Sequence, residues 1–116
     1  MAWSQKSEEV YYTLTLNLEG DYEAFNRDGY TIYVDGNEFA RTSSSDIYSI
    51  PKGARVSTYN NSNGQYGYEY FESITPTPFY NNDGSWVMDK DYTVNVKAEQ
   101  SISMVTINIE TWHPTG

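Results

Sequence analysis

The chain has 116 residues, no cysteine and a formal net charge of −9 (16 Asp and Glu against 7 Lys and Arg), so it has room for one modest core that no disulfide can staple. Such an acidic surface repels phosphate backbones and anionic lipid, which argues against nucleic acid as a partner. No apolar run approaches the roughly 18–20 residues of a membrane-spanning helix, so membrane insertion is not expected.

Residues 1–9 are polar apart from Trp3 and read as an arm, with Trp3 as its anchor. They lack the apolar core of a secretory signal, so a start at Met1 predicts cytoplasmic synthesis. A single domain is expected over residues 10–112, with 113–116 as a tail. Residues 10–18 form the first predicted strand: Val10, Tyr12, Leu14, Leu16 and Leu18 share one face, and Tyr11, Thr13, Thr15 and Asn17 share the other. Residues 19–27 connect onward, with an irregular strand as one reading of Tyr22–Phe25.

Tyr30–Val34 is the second strand, with Tyr30, Ile32 and Val34 inward. Asp35-Gly36 then predicts a tight hairpin, because such turns need φ > 0. The return strand, residues 38–42, offers Phe39 as its core contact. After Ser43-Ser44-Ser45 come a strand at 46–50, a Pro51-Lys52-Gly53 turn and a strand at 54–59. Residues 60–65 read as a hairpin tip. Residues 66–74 read as a strand bulged at Gly67. Thr75-Pro76-Thr77-Pro78 cannot sit in a central strand, and 81–85 is a turn before Trp86-Val87-Met88.

Residues 91–98 put Tyr92, Val94, Val96 and Ala98 on one face. Residues 101–110 carry Val105, Ile107 and Ile109 on one parity, with Ile102 and Met104 on the other. Seven to nine short strands with frequent turns and no helical period predict an all-β chain, an antiparallel sandwich.

The segments Thr31-Ile32-Tyr33-Val34-Asp35-Gly36-Asn37, Ile50-Pro51-Lys52-Gly53 and Gly67-Tyr68-Glu69, in that order, resemble the PEGA-type and related bacterial immunoglobulin-like surface domains. Those domains have a strand ending in Val-Asp-Gly, a Pro-x-Gly turn before a strand, and a Gly-Tyr-Glu step. The similarity spans residues 30–70. It departs after the hairpin, where Arg41-Thr42-Ser43-Ser44 stands in place of Thr-Pro. The resemblance implies an immunoglobulin-like sandwich used for attachment or spacing. Similar domains occur on phage virions, so it also implies a place on a virion or cell surface after assembly, as capsid decoration, head fibre or tail component.

Catalysis is not expected. The one histidine, His113, lies near the C-terminus, where a triad would lack rigid neighbours. Calcium is the credible ion: Asp21 with Glu23, Asp35 with Asn37, and Asn81-Asn82-Asp83 offer hard oxygens on loops, though without the spacing of a calcium-binding loop. Otherwise no cofactor is expected. Aromatic residues make up 16% of the chain. Most of them suit packing on a pleated sheet face, with tyrosine hydroxyls left in water. Two further uses compete. Trp3 and Trp112 would dock the domain onto other protein subunits, in an assembly or an oligomer. Alternatively Tyr59, Tyr66, Tyr68, Tyr70 and Trp86, beside Asn and Gln loops, would stack on a cell-surface glycan while the amides bind its hydroxyls.

Overall fold

The structure is a computed structural model and describes residues 9–25, 29–62 and 67–100. The strands are β1 (Tyr11–Glu19), β2 (Tyr30–Val34), β3 (Asn37–Thr42), β4 (Asp46–Pro51), β5 (Arg55–Asn60), β6 (Tyr68–Thr75), β7 (Trp86–Val87) and β8 (Tyr92–Gln100), with a 3-10 turn at Tyr22–Phe25. They form two four-stranded sheets, ordered β4-β1-β8-β6 and β3-β2-β5-β7. The fold is an all-β sandwich.

Alternation builds the core. Leu14 and Leu16 of β1 and Tyr92, Val94, Val96 and Ala98 of β8 are buried from one sheet; Tyr30 and Ile32 of β2, Val56 of β5 and Trp86 of β7 are buried from the other. Fully burying each branched aliphatic side chain contributes about 1.5–3 kcal/mol relative to leaving it exposed. Val10 lies just ahead of β1 and is 48% exposed, so it takes no part in the core.

One pair departs from the antiparallel expectation. β1 and β8 run parallel, from Leu14 opposite Tyr92 to Glu19 opposite Lys97. Parallel neighbours cannot share a tight turn. Here the rest of the sandwich makes the connection between them.

The β2–β3 hairpin forms at Asp35-Gly36, with φ of 53° and 85°, the positive pair that a two-residue turn with matching twist requires. Phe39 does not enter the core. The register shifts between Ile32, opposite Ala40, and Tyr33, opposite Glu38. Phe39 is the extra residue of that bulge and is turned out to 44% exposure. Its ring meets Tyr48 of β4 edge-on at 5.9 Å, linking the two sheets along this border.

Three other expectations are corrected. Tyr22–Phe25 is a 3-10 turn, with Ala24 N donating to Asp21 O at 3.0 Å, and it buries Ala24 and Phe25. Residues 60–65 do not join β5 and β6 as a hairpin, because those strands lie in different sheets. Gly67 (φ 72°) precedes β6, whose register against β8 runs without a shift from Tyr68 to Thr75. Arm residues 1–8, the predicted strand at 101–110 and the tail lie outside the described residues.

Candidate functional site

Since the even positions of β1 and β8 fill the core, their odd positions form the outer face of that sheet. The register then assembles this face into rows. Ile47, Thr15, Thr93 and Thr75 lie side by side across β4, β1, β8 and β6. In the next row Asn17 stands opposite Asn95, and Asn95 opposite Ser73. Ser45 closes that row at the β1 side, its Oγ accepting from Leu18 N at 2.9 Å. The third row is Glu19, Lys97 and Phe71.

A groove of about 530 Å³ runs over the second and third rows, where Asn17, Ser45, Ser73, Asn95, Phe71 and Lys97 line it together with the acidic Glu19 and Glu72. Its size is within the ordinary range for ligand clefts, about 300–1,000 Å³. At its centre Asn17 Nδ2 donates to Asn95 Oδ1 at 3.0 Å. Phe71 stands 51% exposed at one side. Lys97 pairs with Glu99 at 3.2 Å, both well solvated, so the pair contributes little to stability.

A second, smaller cavity of about 220 Å³ lies between the sheets, lined by Thr58, Glu72, Ile74, Tyr80 and Trp86 among others. Tyr30 Oη donates to Thr58 Oγ1 at 3.2 Å; burial, reinforced by the negative charge of Glu72, pushes its pKa far above the ordinary tyrosine value. On this side of the molecule Phe79 is 88% exposed, and Tyr80 and Val87 are about half exposed. Among the described residues the backbone is also unpaired here. β7 covers only Arg55 and Val56 of β5, and β6 pairs only with β8 among the described strands.

Of the described aromatic residues expected to bind a glycan, Tyr68 and Tyr70 meet at 6.4 Å, and Tyr59 and Trp86 lie apart from them in the other sheet. Trp86 is 1% exposed, because its ring fills the core between Tyr80 and Tyr92; no face is left for a sugar. Tyr68 and Tyr70 turn inward, their hydroxyls donating to Asp21 Oδ2 at 3.1 Å and to the Ala24 carbonyl at 2.8 Å. Tyr59 is 60% exposed, but it belongs to β5 in the other sheet. Tyr66, Trp3, Trp112 and His113 lie outside the described residues.

The acidic candidates for calcium serve separate local structures. Asp35 Oδ1 accepts from Arg55 N at 2.9 Å. Asp83 Oδ1 accepts from Ser85 Oγ at 2.6 Å and Ser85 N at 3.0 Å, bonds that hold its carboxyl below the usual aspartate range. Glu23 is exposed on the 3-10 turn. Among the described residues no three acidic or histidine side chains gather as a metal site.

Asn17, Ser73, Asn95 and Phe71 were not singled out from the sequence. The available signal was the uncharged outward parity of Thr13, Thr15 and Asn17, matched by Thr93 and Asn95. Adjacency of those two strands was not readable. The chain matches no protein-family model, no curated protein and no solved structure.

Proposed function

We propose that the chain is a non-enzymatic attachment module that docks onto other protein subunits of a larger assembly. A phage virion is the setting its sequence resemblance implies. The observation that carries the reading is the 88% exposure of Phe79, with Tyr80 and Val87 also exposed on this side of the sandwich and the backbone edges of β5 and β6 unpaired among the described residues. Exposed aromatics are the usual anchors of protein interfaces, and an uncovered strand can accept another chain by pairing. Trp3 and Trp112 are further docking residues in this reading, and the two-sheet architecture is compatible with the immunoglobulin-like assignment.

The test is recovery of the assembled particle from the producing cells with the unmodified chain, with Phe79→Ser, and with residues 1–9 removed. Incorporation of the unmodified chain, its loss in Phe79→Ser and an unchanged melting curve are expected. Equal incorporation of Phe79→Ser would overturn the docking role of this face. Equal incorporation of the shortened chain would overturn that of the arm.

A further inference from the structure

We propose that the outer face of the β4-β1-β8-β6 sheet binds a neutral oligosaccharide, centred on the Asn17–Asn95 amide pair. The inference is independent of the attachment reading. It also uses residues other than the tyrosines and tryptophan first considered for sugar.

The chemistry begins with the hydrogen bond between the two amides. Asn17 Nδ2 donates to Asn95 Oδ1, which leaves Asn17 Oδ1 as an acceptor and Asn95 Nδ2 as a donor. Neither side chain has another partner among the described residues. An acceptor and a donor held side by side suit adjacent hydroxyls, each of which can both donate and accept. Ser73 lies beside Asn95 in the same row, and Thr15 and Thr93 add hydroxyls in the next. Phe71, half exposed at the groove wall, supplies the apolar surface on which the C–H face of a sugar ring can stack.

Charge argues for a neutral ligand. In a chain of net charge −9 the central rows of this face carry only Thr, Ser, Asn and Ile. The rim adds Glu19 and Glu72 beside Lys97, which is already paired with Glu99, so its charge is net negative and disfavours an anionic ligand. A protein partner would instead favour aromatic or arginine anchors at the centre, where the middle row of this groove has the amides of Asn17 and Asn95 and the hydroxyls of Ser45 and Ser73. Three strand spacings make the row about 14 Å across, longer than one sugar ring.

The test follows the side-chain amide resonances of Asn17 and Asn95 by NMR in the full chain. Neutral trisaccharides of glucose, galactose, mannose and N-acetylglucosamine are added to millimolar concentration, with trigalacturonate as an acidic comparison. At least one neutral probe should give saturable shifts at both amides. Asn95→Ala and Phe71→Ala should each weaken its binding about tenfold, the worth of one good hydrogen bond or ring contact. Tyr59→Ala, on the other sheet, should leave binding unchanged. Asn95→Ser is the second variant should Phe71→Ala disturb the fold, and it should show the same loss. No saturable shift with any neutral probe, a response to trigalacturonate alone, or an Asn17 amide titration that Asn95→Ala and Asn95→Ser leave intact would overturn the assignment.

Discussion

The Tyr70 hydroxyl donates to the Ala24 carbonyl oxygen at 2.8 Å, tying β6 of one sheet to the 3-10 turn that leads into the other. Its ring packs against Phe25 at 5.5 Å, so one side chain supplies both a polar and an apolar link at this end of the sandwich. Tyr70→Phe keeps the ring and loses the bond; a cost of about 1–2 kcal/mol is expected because the carbonyl is left without this donor. Tyr70→Ala also loses the packing and should cost about 3 kcal/mol. Urea denaturation of the two variants separates the contributions.

Gly20 approaches β8 so closely that an added Cβ would lie 2.6 Å from the Ala98 carbonyl oxygen, at a φ of 141°. Ala98 is paired with Tyr70 in the sheet, so its backbone cannot yield without disturbing the ladder. Gly20→Ala should therefore cost about 3 kcal/mol, from strain and overpacking together. Gly84 also has a positive φ, 87°, but nothing lies within 4 Å of its added Cβ. Gly84→Ala should cost only about 1–2 kcal/mol, the backbone penalty alone. Thermal melts of the two variants test the ordering.

Burial, with a hydrogen bond to Asp89 at 2.5 Å, raises the Tyr92 hydroxyl from 10.0 to about 12. The folded state then holds this proton where the unfolded chain releases it. The associated stability is present below the unfolded value and is lost as pH rises between about 10 and about 12. Tyr92→Phe should flatten the fall in stability across that window. Denaturation midpoints at successive pH values, with tyrosinate absorbance, provide the check.

Trp86→Ala should lower the melting midpoint sharply, since truncating a buried tryptophan costs about 3–5 kcal/mol out of a total of about 5–15 kcal/mol. Tyr59→Ala, at a residue 60% exposed, should change stability by no more than about 0.5 kcal/mol. Circular dichroism melts distinguish the two. A Trp86→Ala variant with an unchanged midpoint would contradict the burial described here.

Local pattern alone determined much of the architecture. The phases of β1, β2 and β8 were legible from alternation, and Leu14, Leu16, Tyr30, Ile32, Val94 and Val96 are buried as their parity predicted. The Asp35-Gly36 hairpin was legible because few residue pairs tolerate two successive positive φ values. Only the tertiary structure decided what those strands meet. Period-two alternation tells which way a side chain points, but not which strand lies beside it. Phe39 has the composition of a core residue, and a register shift turns it out. Trp86 sits beside polar loop residues in sequence, and the packing of Tyr80 and Tyr92 buries it. Asn17 and Asn95 are 78 positions apart and become neighbours only because β1 and β8 pair in parallel at the centre of one sheet. That pairing is set by the fit of two apolar faces across the whole sandwich, a property of the assembled core rather than of either segment.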